Sequence, residues 1–183
     1  MPEIDKGSMR LLKEEDLGLV LEWRNSERIR NSMISNHIIS WEEHLSWFKN
    51  LKESDTYLIF EYMGQPAGMV NFTEINIPQG TGWWGFYVGK AGLPRGTGLL
   101  MGYLGLTYVF ENLKSNMVLS KVLAANQVSL AYHKRLGFSE DVMEKQYIFR
   151  DGENQEIVYF SYEFEKWVEY KPVLEQACID LNK

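Results

Sequence analysis

The residues best suited to hold a phosphate lie in the segment Val88-Gly89-Lys90-Ala91-Gly92-Leu93-Pro94-Arg95-Gly96-Thr97-Gly98-Leu99. Glycines let a backbone close to within hydrogen-bond distance of a pyrophosphate. Where such a loop opens a helix, the helix N-terminus adds unpaired N–H groups and about half a positive charge. Arg95 puts a full charge beside them. The spacing is not that of other phosphate loops: Gly96-Thr97-Gly98 lacks the third glycine of a dinucleotide fingerprint, and no Gly-Lys-Ser/Thr is present. Taken alone, glycines here are also consistent with a loop that only turns the chain.

The elements that must carry this loop follow from periodicity. Residues 14–53 read as helical, with Leu17, Val20, Leu21 and Trp23 near helical spacing and Ser40 with Glu43 as a capping box opening Trp41 to Leu51. Thr56 to Tyr62, Ala67 to Ile77 and Gly82 to Val88 are rich in β-branched and aromatic residues and are separated by Gly64-Gln65-Pro66 and Pro78-Gln79-Gly80, which predicts an antiparallel meander. From Gly96 to Phe110 there is no charge and no polar face, so a helix buried against that sheet is expected. Val118 to Leu123 reads as a strand, Asn126 to Leu136 as a helix, and Phe138 to Ile148 with Glu156 to Phe164 as a closing hairpin around Asp151-Gly152. The order implies an α/β fold, a mixed sheet covered on both faces. Residues 166–183 are left as a C-terminal tail with no assigned element.

At 183 residues the chain fits a single domain able to bury a core without a disulfide or metal staple. A net charge of −6 removes the usual electrostatic reason to bind nucleic acid or an anionic membrane. The N-terminus MPEIDKGSMRLL has no secretory pattern and no stretch is apolar enough to span a bilayer, so the cytoplasm follows by default. The single cysteine, Cys178, falls in the polar tail without a nearby partner and reads as a bystander. No His/Cys/Asp cluster has metal-ligand spacing, and no metal is expected. A homodimer is compatible with the sequence.

The stretch Leu123-Ala124-Ala125-Asn126-Gln127-Val128-Ser129-Leu130-Ala131-Tyr132-His133-Lys134-Arg135-Leu136-Gly137-Phe138 supplies the context that the glycine loop lacks. It resembles the second cofactor motif of GNAT acetyltransferases: an Asn ending a strand, a Tyr near the end of a short helix, then Leu-Gly-Phe. Gly85 through Gly98 resembles the first motif of that family, in the family's order. One departure is plain, because the usual leading Arg/Gln falls on Leu93, leaving Arg95 to supply the charge. The resemblance spans about residues 9–165. It implies the GNAT fold, a mixed and mostly antiparallel central sheet splayed between its fourth and fifth strands with helices on both faces, and an acetyl-CoA-dependent N-acetyltransferase.

The resemblance further implies that acetyl-CoA lies in that splay, its pantetheine pairing with the backbone near Val88. The N–H groups of Arg95, Gly96, Thr97, Gly98 and Leu99 would cradle the pyrophosphate, and Asn126 would touch the pantetheine arm. Asn126 is equally a helix N-cap, and Ser129 is either a cofactor contact or an exposed helical residue. Tyr132 matches the family's proton donor to the departing thiolate: a phenol with a pKa of about 10 stays protonated at neutral pH. The competing reading is a tyrosine packed under the sheet. No thiol is placed for an acetyl-enzyme, so transfer is expected in a ternary complex.

Trp23-Arg24-Asn25, followed about twenty residues later by His44 in an amphipathic helix, resembles the GNAT branch that acetylates nucleotide-linked amino sugars in pseudaminic acid biosynthesis. The expected acceptor is therefore the 4-amino group of a UDP-linked amino-deoxysugar. Arg24 suits a diphosphate, His44 and Thr73 suit sugar hydroxyls, and aromatic faces suit a deoxysugar and a nucleobase. Alternation along the strand separates Asn71 and Thr73 from Glu74, so only one set faces the ligand unless a bulge intervenes. Thr73 is preferred as the contact, and Glu74 is a candidate base acting through water. Against these stand plainer readings: the tryptophans as core, His44 as a satisfied imidazole, Arg24 paired with Glu27 or Glu42, and His37 and His133 as structural. The alternatives to the sugar enzyme are an acetyltransferase for protein N-termini or ribosomal proteins, and an acetyl-CoA sensor without turnover.

Overall fold

The computed structural model describes residues 3–76, 78–141 and 145–180. Strand β1 (Gly7–Leu11) leads into three helices, α1 (Leu17–Asn25), α2 (Glu27–Arg30) and α3 (Trp41–Lys49). A meander follows, β2 (Thr56–Tyr62), β3 (Gln65–Asn76) and β4 (Thr81–Val88), and then α4 (Thr97–Thr107), which ends in a π-type turn over Tyr108–Asn112. Next come β5 (Met117–Leu123), α5 (Gln127–Leu136), β6 (Ser139–Glu140), β7 (Gln146–Arg150), β8 (Glu153–Glu163) and α6 (Phe164–Ile179). The sheet order is β1-β2-β3-β4-β5-β8-β6, with β7 also on β8. Among the described strands every pairing is antiparallel except β4 with β5. A parallel neighbour needs a crossover, and α4 is that crossover.

Helices cover both faces, as the patterning predicts. On one face Val20, Trp23 and Ile29 of α1 and α2 pack on Ile59, Met69 and Tyr87. On the other, the uncharged helix α4 buries Leu99, Leu100, Met101, Tyr103 and Leu106 against Phe60, Val70, Trp84 and Val118. The capping box forms as read: Ser40 Oγ accepts from the Glu43 N–H at 3.2 Å and Glu43 Oε2 accepts from the Ser40 N–H at 2.7 Å.

Three expectations are corrected. Gly7–Leu11 is a strand paired with β2, and the sequence reading has no strand there. The tail is helix α6, whose Trp167 is 1% exposed and stacks on Phe110 at 5.5 Å. Cys178 accordingly lies in the core, fully buried, and burial pushes its thiol up to about 12. The expected strand Phe138 to Ile148 is divided into β6 and the start of β7, and its residues 142–144 lie outside the described residues, as does Ile77 of the expected third strand.

The helical front end is pinned to the sheet by one guanidinium. Arg10 on β1 donates from Nη1 and Nη2 to the two oxygens of Asp16, both at 2.7 Å, and from Nε to Glu61 on β2 at 2.7 Å. Asp16, 5% exposed, also accepts from the Lys13 N–H at 2.9 Å and sits at the entry to α1. Arg10 holds this carboxyl below the usual carboxylate range, against the opposing effect of burial. A depressed folded pKa gives stability that is present above the ordinary value near 4 and lost as pH falls through the depressed one. Asp16→Asn should therefore cost about 2–4 kcal/mol at pH 7. In urea titrations the difference from wild type should shrink below about pH 4.

Candidate active site at the parted strands

β4 and β5 share only the rungs Thr81–Met117, Gly82–Val118 and Trp83–Leu119. Beyond them the strands diverge, and a cavity of about 720 Å³ opens between them. Its walls are Trp83 to Val88 of β4 and Ser120 to Val122 of β5. Arg24 and Arg28 bound it from α1 and α2, and Asn126, Ser129, Tyr132 and His133 from the β5–α5 region.

The glycine loop delivers the N-terminus of α4 to this opening. Gly96 is the N-cap residue with φ of 95°, a left-handed conformation that favours glycine. Thr97 and Leu99 are buried, and their N–H groups are engaged within the loop: the Thr97 N–H and Oγ donate to the Pro94 carbonyl at 3.2 and 2.7 Å, and the Leu99 N–H donates to the Gly96 carbonyl at 2.8 Å. Their role in the loop is to hold its shape. The N–H groups of Arg95, Gly96 and Gly98 have no partner among the described residues, and Gly98 lines the cavity. The Arg95 side chain is exposed, and Leu93 packs against the core. The Val88 carbonyl accepts from Arg28 Nη2 at 3.0 Å, and the Gly89 carbonyl from the same nitrogen at 2.7 Å.

On α5, Asn126 is the N-cap, its Oδ1 accepting from the Ser129 N–H at 3.0 Å, while its Nδ2 reaches the Ser32 carbonyl at 3.5 Å. Ser129 Oγ lies 3.4 Å from His133 Nδ1. Tyr132 is half-buried, and its ring lies 4.6 Å from that of Phe86. Its hydroxyl donates to the Gly98 carbonyl at 2.6 Å. Room for it comes from Gly102, where a Cβ would stand 2.5 Å from the phenolic oxygen. Burial pushes this phenol well above its usual range, so it stays protonated at any ordinary pH.

On the opposite side of the sheet, the structure brings Arg24, Thr73 and Glu74 to the same cavity. Alternation alone cannot do this. A register shift between Thr73 and Asn76, with Glu74 at φ 51°, is the bulge that puts neighbours on one side. Arg24 pairs with neither Glu27 nor Glu42. Its Nη2 donates to the Ser35 carbonyl at 2.7 Å, while Nη1 is buried without a partner among the described residues. Burial lowers its pKa, and the like charge of Arg150 acts in the same direction.

His44 is the residue the structure takes away from the site. It is 4% exposed, lies outside the cavity lining, stacks on Trp47 at 5.0 Å and hydrogen-bonds the Leu17 backbone. Burial lowers its pKa, so it is a neutral strut between α3 and α1. Arg28, Lys121, Ser120 and His133, which the sequence reading does not assign to the site, line the cavity. Lys121 Nζ stands 4.9 Å from the Trp83 ring centre. The available signal for Ser120 was a hydroxyl on the otherwise apolar face Val118–Ser120–Val122. No group of three or more His, Cys, Asp or Glu side chains is arranged for a metal among the described residues, and no described helix is long and apolar enough to cross a membrane.

A sheet parted between a parallel pair, with a glycine-capped helix N-terminus at the opening, frames the site. Residues 8–139 match the acetyltransferase (GNAT) domain, and the chain belongs to that family: it is an acetyl-CoA-dependent N-acetyltransferase. It is 29% identical over 131 residues to the acetyltransferase PseH of Campylobacter jejuni, covering 70% of this chain and 80% of that protein. Its fold is that of a Vibrio cholerae spermidine N-acetyltransferase solved with CoA and spermine. The TM-score is 0.80 at 17% identity, over 90% of this chain and 99% of the other. A dodecameric structure of spermidine N-acetyltransferase from the same organism matches with a TM-score of 0.75 at 18% identity, over 90% of this chain and 97% of the other.

Acetyl-CoA should raise the melting temperature by mass action. Bulky residues at Gly96 and Gly98 should abolish that shift, because the first cannot hold a left-handed φ and the second already lies 3.7 Å from Val88 and 3.9 Å from Tyr132 through its Cβ direction. Unchanged CoA affinity in the double variant, measured by calorimetry, would move the pyrophosphate elsewhere.

Proposed function

We propose that the enzyme acetylates the 4-amino group of a UDP-linked amino-deoxysugar, the chemistry of pseudaminic acid biosynthesis. The observation that carries this reading is the charge of the cavity. In a protein of net charge −6, the ionised residues lining it are Arg24, Arg28 and Lys121 against Glu74 alone. A cationic acceptor such as a polyamine would meet repulsion there, while a nucleoside diphosphate would supply the anion that Arg24 Nη1 lacks. The likeness to the PseH acetyltransferase supports the same assignment.

In this reading Arg24 pairs with the diphosphate, Thr73 orients the sugar and Trp83 offers it an aromatic face. His44 contributes only by holding α3 on α1. The free N–H groups of Arg95, Gly96 and Gly98 receive the CoA pyrophosphate. Asn126, with Ser129, bounds the pantetheine channel and caps α5, and Arg28 yields the Val88 carbonyl as the pantetheine pairs. The neutral amine attacks the thioester directly. Tyr132 turns its proton from the Gly98 carbonyl to the departing sulfur, and Glu74 takes the ammonium proton through water before attack.

Two variants test these roles. Arg24→Ala should raise the Michaelis constant for the nucleotide sugar by about 1.5–3 kcal/mol without weakening acetyl-CoA binding. Free UDP should compete with the acceptor in wild type and lose most of that ability in the variant. Absence of both effects in a protein that still binds acetyl-CoA would remove the nucleotide sugar. Tyr132→Phe should lower kcat about 100-fold with cofactor affinity nearly intact, measured where chemistry limits turnover.

A further inference from the structure

Ser120 is the first residue of β5 beyond its last rung with β4, so its side chain stands where the two strands begin to part. It is 2% exposed yet contributes to the cavity lining, and its Oγ lies 2.8 Å from His133 Nε2 on α5. The direction of that hydrogen bond is set from the far side of the ring. His133 Nδ1 lies 2.8 Å from the Ser129 carbonyl oxygen, which can only accept. Nδ1 therefore carries the proton, Nε2 is bare, and the Ser120 hydroxyl donates to it. A second acceptor, the Trp84 carbonyl at 3.5 Å, is too distant to compete. The lone pairs of Ser120 Oγ are left for a donor in the cavity.

The imidazole is 1% exposed and walled by Phe86, Phe138 and Phe160, with ring centres at 5.5, 5.0 and 4.9 Å. Among the rings packed on it only Tyr132, at 6.3 Å, titrates, and that phenol is held protonated. No charged side chain among the described residues hydrogen-bonds His133. Burial lowers its pKa, so the ring is neutral and its Nε2 available at physiological pH. A serine and a histidine joined in this way inside an aromatic wall leave a chain of proton acceptors running from the cavity into the core.

We propose that Ser120 takes the proton of the attacking nitrogen as it becomes an amide while passing its own proton to His133, which makes Ser120 a catalytic residue and His133 the base behind it. As the nitrogen bonds to the thioester carbonyl carbon it becomes cationic and far more acidic than the starting ammonium, within reach of an imidazole of low pKa. Its proton passes to Ser120 Oγ and the serine proton to Nε2. The carbon–sulfur bond breaks, and the thiolate receives the Tyr132 proton. The imidazolium returns its proton through Ser120 to water, and the phenolate recovers one from water, so the net products are the amide and CoA thiol. This assignment needs only acetyl transfer to an amine and stands apart from the sugar reading. It also differs from the role of Glu74, which acts before attack.

The test uses whichever amine, from a panel of UDP-amino sugars, spermidine and short peptides, the wild type acetylates fastest. The identity of that amine judges the sugar reading separately. Ser120→Ala should lower kcat about 100-fold, with both Michaelis constants within about twofold of wild type and the acetyl-CoA melting shift retained. Ser120→Thr, which restores a hydroxyl, should recover most of the rate. In wild type the acid limb of the kcat profile carries protonation of His133 besides that of the acceptor amine, and its slope should fall by one proton in Ser120→Ala and in His133→Gln. Should Ser120→Ala fail to fold, His133→Gln carries the same comparison, since its amide oxygen can accept from the Ser120 hydroxyl but takes up no proton. A wild-type kcat in Ser120→Ala or His133→Gln, or a reduced one with the acid limb unchanged, would overturn the relay.

Discussion

The early parting of β4 from β5 is the constraint on which the site depends. Three rungs hold the pair together, and after Trp83 and Leu119 each strand follows a different partner: β4 stays with β3 down to Val88, and β5 runs with β8 to Leu123. The pair is parallel, so the chain must cross over between its members, and α4 does so as a helix with no charged face to spend on solvent. Its burial fixes the N-terminus beside the opening. The glycine cap, the free N–H groups and the cavity are therefore consequences of one topological feature, and the aromatic packing of Trp84, Phe86 and Phe138 behind the strands keeps the opening from closing.

Around this opening the chain distributes charge against its own average. The surface carries the excess of acid, while Arg24, Arg28 and Lys121 converge on the cavity from a helix pair and from β5. Holding a guanidinium half out of water is costly unless its donors are met. The Ser35 carbonyl meets Nη2 of Arg24, and Nη1 has no partner among the described residues. The same economy appears below the sheet, where His133 meets Ser129 and Ser120 and nothing ionised. The two faces of the opening are thus unlike: one carries the cationic side chains Arg24, Arg28 and Lys121, the other is neutral and aromatic around the hydrogen-bonded Ser120 and His133.

Much of this was legible from residue order. The meander, the uncharged crossover helix, the capping box at Ser40 and, in its β7–β8 part around Asp151-Gly152, the closing hairpin were each signalled by local pattern, and each is present. The glycine loop and the Asn126 to Phe138 stretch identified the family before any coordinate. The missed elements lacked local signals. β1 is five residues with Gly and Arg among them, a strand only because β2 offers it a partner. Helix α6 reads as polar over most of its length and carries Pro172, and its burial of Trp167 and Cys178 depends on the groove beside α4.

Sequence alone determined the class of protein, the glycine loop that caps α4 and the presence of Tyr132, because these rest on short-range order: glycine spacing, helix caps and strand alternation. Tertiary structure decided which polar residues share a cavity, since that is set by contacts between residues far apart in the chain. It sent His44 into a strut between helices and brought Glu74 beside Thr73 through a bulge. It also seated Ser120 against His133, thirteen residues away, where two strands part. A hydroxyl or an imidazole has the same chemistry wherever it stands, and only the burial and partners supplied by the fold make it an acid, a base or a brace.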